Sequence, residues 1–393
     1  MNARLQVSSE CEAPVSGLEV ANIKKLSLMK AIWIHLRNGI QSLNPAYFAM
    51  VMATGIVAIA LHLLGMEPFG RILAWINLAA YIVLWGLTIV RLAYFPREMF
   101  ADLIDHNRGV GYFTLVAATG VLGDQCIVIS SRYRAAEVLW IVSLILWALF
   151  TYSVFTAYTV KEQKPPLDQG INGGWLVTVV ATQAVSVLAT LLLPLFGDHH
   201  DLILFLSLAF WLFGGMLYIW LISLIFYRYT FFTFHPSDLM PPYWINMGAM
   251  AISTLAGALL ILNANQAQFL ESILPFIKGF TVLFWATATW WIPMLFILGF
   301  WRHVYKRFKL AYDPLFWGAV FPLGMYTACT YRLAGAINLP FLFLIPRYFI
   351  YIALAAWLLT FAGLAESVAA SCRRAAACGR VPALNALKPD GLK

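Results

Sequence analysis

The stretch DPLFWGAVFPLGMYTACTYR, residues 313–332, has the length and composition of a helix that crosses a membrane. It begins with an acidic residue, which is a common helix start, and continues through about one membrane thickness of uncharged residues to Arg332. Phe321 and Pro322 lie at its centre. A proline there removes a backbone hydrogen bond, which a membrane helix tolerates where protein or water takes up the freed carbonyl.

One face of this helix suits the wall of an anion pathway. At 100° and about 1.5 Å per residue, Arg332 lies on nearly the same face as Phe321 and about 16 Å further along. That face therefore carries a bulky ring at mid-depth and a cation near one end. The alternative is an ordinary proline kink, a packed phenylalanine and an arginine that reaches the lipid headgroups.

The composition of the whole chain indicates an all-α polytopic membrane protein. Of 393 residues, 62% are hydrophobic and 11% are charged, whereas charged residues make up about 25% of an average soluble protein. Ten long uncharged runs predict ten transmembrane helices, with the first and third interrupted near their ends by His62 and Asp124. The runs are Ala46–Leu61, Ile72–Val90, Val110–Gly123, Val138–Val160, Trp175–Gly197, Leu202–Tyr227, Tyr243–Gln268, Gly279–Trp301, Pro314–Tyr331 and Tyr348–Ala365.

Charge predicts how the helices are oriented. The first 45 residues show no signal-peptide pattern, and with the amino terminus inside, 20 of the 26 Lys and Arg residues fall on inner segments. We therefore expect the plasma membrane, cytoplasmic tails at residues 1–43 and 370–393, and a ten-helix domain at 44–369. Residues 26–40 are either a basic amphipathic helix on the membrane or a flexible tail. No nucleic-acid partner is needed to explain the basic charge.

A repeat indicates how the ten helices are arranged. An aromatic residue, followed by another aromatic residue or Leu, begins every odd-numbered helix with a period of about 67 residues. Small and polar residues mark the odd helices, whereas the even ones are bulky and apolar. This pattern predicts five hairpins with the odd helices as an inner ring around a pore and the even ones outside, unless the spacing is chance. The starts are Tyr47-Phe48, Tyr112-Phe113, Trp175-Leu176, Tyr243-Trp244 and Phe316-Trp317.

Motifs for catalysis are not found in the sequence. It contains no HExxH, G-x-S-x-G or phosphate-binding glycine loop, and the five cysteines show no paired or metal-type spacing. The run Asp198-His199-His200-Asp201 is better explained as a polar turn than as a metal site. We therefore expect no enzyme activity, no cofactor and no metal.

Three segments resemble the tellurite-resistance/dicarboxylate transporter family, which includes malate permeases, sulfite efflux pumps and plant slow anion channels. They are PAYFAMVMATGI (45–56), PPYWINMGAMAIS (241–253) and the stretch from Asp313 to Ala334, within a resemblance that covers about residues 43–366. The resemblance implies ten helices in five hairpins around a pore, often three protomers with one pore each, and a phenylalanine that occludes the pore. The W-x-x-x-F-P segment places that role on Phe321, beside the Pro322 kink. The long phosphorylated termini of the plant channels are absent, so kinase gating is not implied.

Further pore-lining residues follow from helix faces and from mid-membrane polarity. Hydroxyl and amide groups at mid-depth can replace part of an anion's hydration shell, although each can instead bond its own backbone. Asp124 needs a proton or a partner beside an anion, and Arg332 is the partner we expect. The predicted pore-lining and substrate residues are Thr54, Gly55, Ala117, Thr119, Gly120, Asp124, Thr182, Gln183, Gly248, Met325 and Arg332.

The sequence thus predicts a transporter or channel for small anions. C4-dicarboxylates such as malate are the first expectation, with sulfite, tellurite, chloride or nitrate as alternatives. A non-conducting membrane sensor or scaffold is the alternative of another class.

Overall fold

The computed structural model describes residues 33–34 and 36–378, which fall into two units. One unit is Leu43–Leu364, and the other contains the remaining residues at both ends of the chain. The predicted amphipathic helix at 26–40 lies largely outside the described residues, although 36–40 are helical. At the other end the last helix continues to Cys378, so the predicted tail boundary at residue 370 falls inside a helix.

Ten long helices follow one another within the described residues, and these residues include no β-strand. We number them α1 to α10 in chain order. They are α1 Ala49–Leu63, α2 Glu67–Tyr94, α3 Phe113–Ser130, α4 Tyr133–Val160, α5 Val177–Leu191, α6 His200–Phe231, α7 Ile245–Leu262, α8 Leu274–Phe300, α9 Trp317–Ala336 and α10 Leu344–Cys378.

Nine of these helices are long and apolar enough to cross a membrane, which confirms the all-α polytopic class. The exception among the described helices is α9, whose small and polar residues lower its hydropathy. Such residues suit this helix because most of its side chains are buried within the protein. The count of ten crossings therefore stays a prediction. His62 and Asp124 do not interrupt their helices, since α1 and α3 continue through them.

The odd helices contact one another in a closed sequence, α1 to α3, α5, α7, α9 and back to α1. Four of the even helices, α2, α4, α6 and α8, each pack on the odd helix that precedes them. Of the most apolar 18 residues in α7, 94% are buried within the protein, compared with 17% in α2. The odd helices thus form the inner layer, and the even helices carry exposed apolar side chains on the outside.

Each inner helix begins with a short 3₁₀ turn, and the aromatic repeat falls where that turn meets the α-helix. Side chains cap three of these turns, because Asn44, Asn172 and Asp313 each accept a hydrogen bond from the backbone N–H two residues later. The sequence repeat therefore corresponds to a structural repeat. The five turns are Pro45–Phe48, Gly109–Tyr112, Gly173–Leu176, Pro241–Trp244 and Pro314–Phe316.

Hydrogen bonds from aromatic side chains join every outer helix to the next inner helix, and we call these five contacts the aromatic belt. Four reach a threonine hydroxyl and one reaches a backbone carbonyl. The last contact, from α10 to α1, joins residues 303 positions apart and closes the ring. The pairs are Tyr81–Thr119 (3.0 Å), Trp147–Thr182 (2.9 Å), Trp211 to the Ser253 carbonyl (2.9 Å), Trp285–Thr330 (3.0 Å) and Trp357–Thr54 (3.0 Å).

Thr54→Val tests the belt where it closes the ring. Valine keeps the shape but leaves the Trp357 indole N–H unpaired in the interior, which costs about 1–3 kcal/mol. We expect a lower melting temperature in detergent for this variant. Thr159→Val is the control, because the Thr159 hydroxyl is exposed and bonds its own backbone at Phe155. Equal melting temperatures for both variants would show that the ring does not depend on this contact.

Candidate functional site

A cavity of about 210 Å³ lies on the axis of the inner ring, at the end where the inner helices begin. We call it the N-terminal cavity. All five inner helices or their 3₁₀ turns contribute to its wall. The residues furthest along each helix that line it are Met52, Thr114, Val177, Ile245 and Phe321.

A second cavity of about 20 Å³ lies on the same axis towards the other end, and we call it the C-terminal cavity. It too is lined from all five inner helices. Asp124 and Arg332 are the charged side chains in its wall, and the others are aliphatic. Two charged groups that the sequence analysis assigned to the pore therefore meet at one place on the axis.

Packed side chains separate the two cavities. On α3, Thr114 lines the first cavity and Asp124 lines the second, and about 15 Å of helix separates them. On α5 and α7 the residues that line the two cavities are separated by a similar length of helix. On α9 Phe321 belongs to the first cavity and Ala328 to the second. Phe321 is 1% exposed, so its ring lies in the packed layer at the floor of the N-terminal cavity.

The N-terminal cavity provides an environment that favours anions. Five helix starts converge on it, which places the positive ends of five helix dipoles around the cavity. Arg108 lines the cavity and forms a 2.9 Å ion pair with Asp102, which also binds Arg91 at 2.6 Å. Asp102 therefore links Arg108 to Arg91 beside this cavity.

Neighbouring polar groups fix the loop that carries Arg108. Asn172 donates to the side-chain oxygen of Asn107 at 3.0 Å, and both residues line the N-terminal cavity. The His106 ring stacks on Tyr158 with 4.3 Å between centroids. Burial, with help from Lys161, lowers the pKa of His106, so this ring stays neutral near pH 7 and adds no charge beside the cavity.

Five of the predicted site residues lie on the axis. Phe321 lines the N-terminal cavity, and Asp124 and Arg332 line the C-terminal one. Ala117 and Met325 are fully buried on the same faces of α3 and α9, between the residues that line the two cavities. Both residues therefore lie on the same helix faces as the residues that line the two cavities.

The predicted threonines and Gln183 face the outer helices and not the axis, which corrects the sequence analysis. Thr54, Thr119 and Thr182 take part in the aromatic belt. The Gln183 amide donates to the Trp211 carbonyl on α6 at 3.0 Å. Thr119 and Thr182 also bond the backbone four residues back, the alternative considered for them.

The predicted glycines and Pro322 also lie at contacts between helices. A Cβ atom at Gly55 would lie 2.7 Å from the Asn77 amide nitrogen, and one at Gly120 would lie 2.9 Å from Cβ of Ala184. At Gly248 a Cβ atom would lie 2.7 Å from Cγ of Pro322. These positions permit close packing between neighbouring helices and do not face the pore.

The expected ion pair between Asp124 and Arg332 does not form. Asp124 is 2% exposed, and neither carboxylate oxygen has a hydrogen-bond partner among the described residues. The two side chains border the same small cavity without direct contact. An acid and a cation therefore remain available at this end of the axis.

Arg108 and the asparagines of the N-terminal cavity were missed in the sequence analysis, which searched the helices and not the loops. The repeat contains a signal for part of this set. Asn44, Asn172 and Asp313 each stand three residues before the aromatic residue that begins a repeat. A comparison of those positions would have identified the polar helix starts.

Fold and site together define a polytopic helical membrane protein with anion-favouring and charged cavities on one axis. A family model described as "Voltage-dependent anion channel" (SLAC1) matches residues 42–365. The chain therefore belongs to this family of anion transporters and channels.

Several curated proteins are similar to this chain. An uncharacterized membrane protein of Mycobacterium tuberculosis is 39% identical over 158 residues, covering 40% of this chain and 80% of that protein. An uncharacterized transporter of Methanocaldococcus jannaschii is 28% identical, covering 75% and 86%. The sulfite efflux pump of Trichophyton rubrum is 23% identical, covering 84% and 91%.

Gly248→Ala tests the close contact between α7 and α9. The new methyl group would meet the Pro322 ring, which is fixed to the backbone, and overpacking of this kind costs about 1–3 kcal/mol. We expect a lower melting temperature and a lower yield of monodisperse protein. Gly279→Ala on α8 has no heavy atom within 4 Å of the added Cβ and serves as the control. A Gly248→Ala variant as stable as this control would contradict the geometry.

Proposed function

We propose that the chain carries small anions along the axis of the inner ring, and that Phe321 closes the path at the floor of the N-terminal cavity. The observation that carries this proposal is the position of Phe321 between two axial cavities, each lined from all five inner helices. Arg108 and the converging helix starts attract an anion into the first cavity. Arg332 provides a second cation in the C-terminal cavity, on the other side of the Phe321 side chain.

The substrate we propose is a small oxyanion. C4-dicarboxylates such as malate fit the resemblance of the α1, α7 and α9 segments, and sulfite is supported by the similarity to fungal sulfite efflux pumps across most of the chain. Both anions have oxygen atoms that accept hydrogen bonds from arginine and from helix N–H groups. A cavity of about 210 Å³ is large enough for several waters or one such ion.

Transport in this proposal follows the gradient of the anion or of its singly protonated form. A proton relay normally needs a titratable group at mid-depth, and the cavity walls place Arg108, Asp124 and Arg332 towards the two ends. We further propose the plasma membrane, both termini in the cytoplasm and an assembly of three protomers, each with its own path. The even helices would then face lipid or the neighbouring protomers.

A flux panel tests the function. Purified protein in liposomes is loaded with malate, succinate, sulfite or chloride, and efflux is measured at two pH values with the membrane potential clamped. We expect flux of at least one oxyanion above that of protein-free liposomes, without a requirement for an imposed proton gradient. Impermeability to every anion, in wild type and in Phe321→Ala alike, would favour a non-conducting sensor or scaffold.

Phe321→Ala tests the closing side chain. If the ring blocks the path, its removal raises anion flux per folded protein by about tenfold for each 1.4 kcal/mol of barrier removed. The cavity it leaves also costs about 3–5 kcal/mol of stability. Phe284→Ala is the control, because this buried ring packs on Trp211 and Phe280 of the outer layer.

The control separates gating from loosened packing. We expect the Phe284 variant to lose stability without a rise in flux. If well-folded Phe321→Ala conducts no better than wild type, or if both variants conduct equally more, Phe321 is a packing residue and does not close the path.

A further inference from the structure

A further cavity, separate from the two on the axis, lies outside the inner ring between the beginning of α7, the end of α8 and the beginning of α9. Its volume is about 230 Å³, and we call it the α7–α9 groove. Its apolar wall includes Trp244, Leu295, Gly299, Phe316 and Ala319. Ala319 precedes Phe321 by two residues, or about 200° of helix, so the groove and the axis lie on opposite sides of α9.

One end of this groove is basic. Arg302 and His303 line it, and Lys306, Arg307 and Lys309 follow within the next six residues. The density of positive charge is higher here than in any other loop between the described helices. Such clusters at the end of a membrane helix attract anionic lipid headgroups.

Arg302 is held in place but keeps an unused donor. One terminal nitrogen donates to the Leu239 carbonyl at 2.5 Å, and the guanidinium carbon lies 4.5 Å from the centre of the Phe308 ring. The Nε–H group is buried without a hydrogen-bond partner among the described residues. Asp313 contributes a nearby negative charge, but its side chain accepts from the Leu315 N–H.

The groove therefore combines a preorganised cation with a free donor and an apolar channel at the membrane surface. A free phosphate ion would use the cation but would leave the aromatic and aliphatic walls in contact with water. A neutral lipid would cover those walls but would leave the excess positive charge uncompensated. An anionic phospholipid satisfies both, because its phosphate accepts from arginine and its acyl chain covers apolar surface.

We propose that the α7–α9 groove is a binding site for one anionic phospholipid, with the phosphate at Arg302 and an acyl chain beside Gly299. The bound lipid contacts three helices, α7, α8 and α9, and stabilises them together. This inference is independent of the transported anion.

Gly299 offers a sharp test, because a Cβ atom there has no heavy atom within 4 Å. Gly299→Phe adds a bulky ring at the wall of the groove, and its Cβ atom meets no heavy atom of the protein within 4 Å. Gly279→Phe is the matched control on the same helix, since Gly279 is exposed and also has open space around its Cβ position. Arg302→Gln and Arg302→Lys separate the role of charge from that of size.

The experiment adds phosphatidylglycerol, phosphatidylcholine or inorganic phosphate to delipidated protein in neutral detergent. Retained lipid is counted by native mass spectrometry, and the melting temperature is measured in parallel. We expect wild type and Gly279→Phe to retain one phosphatidylglycerol and to melt at a higher temperature with it. Gly299→Phe and Arg302→Gln should retain at least fivefold less, and Arg302→Lys should lie between.

Three results would overturn the proposal. If phosphatidylcholine is retained as well as phosphatidylglycerol, the basic residues of the groove do not select an anionic lipid. Equal stabilisation by inorganic phosphate would identify a site for free anions. Equal phosphatidylglycerol retention by Gly299→Phe and Gly279→Phe would place the lipid elsewhere.

Discussion

The inner ring is closed by the packing of α9 on α1 and by the hydrogen bond from the Trp357 indole to the Thr54 hydroxyl, which joins the last helix to the first. Lipid is as apolar as leucine, so burial of apolar side chains does little to hold membrane helices together. Polar contacts and close packing must supply the specificity. The aromatic belt repeats one such contact five times, and each repeat fixes an outer helix against the next inner one.

The belt also explains why the axis carries so few polar groups. An unpaired hydroxyl or indole N–H in a membrane is costly, and the five aromatic donors of the belt find their partners between the inner and outer layers. The Thr119 hydroxyl forms hydrogen bonds with Tyr81 and with its own helix backbone. The Thr182 hydroxyl likewise bonds Trp147 and its own helix backbone. The axis is left to aliphatic residues and Phe321, with charged groups towards the ends.

Sequence reasoning predicted the layers because helix length, hydropathy and the aromatic repeat are local properties of the chain. It placed Ala117, Asp124, Met325 and Arg332 on the axis because helical spacing from one chosen residue on each helix fixes a face. It misplaced Thr54 because a polar residue on an inner helix has two protected environments, the axis and the interface between layers. Composition does not distinguish them, since the choice depends on whether an aromatic donor such as Trp357 stands opposite.

The proposed closure of the path by the Phe321 side chain is supported by the packing of the next residue, Pro322. Pro322 lies so close to Gly248 that even a methyl group there would collide with it, which draws α7 and α9 together at that level. The same level of α3 carries the small and fully buried Ala117. Because α7 and α9 approach closely at this level, the remaining space on the axis is narrow. A single phenylalanine side chain can then fill this space, whereas inner helices that stood further apart would need bulky residues on several of them.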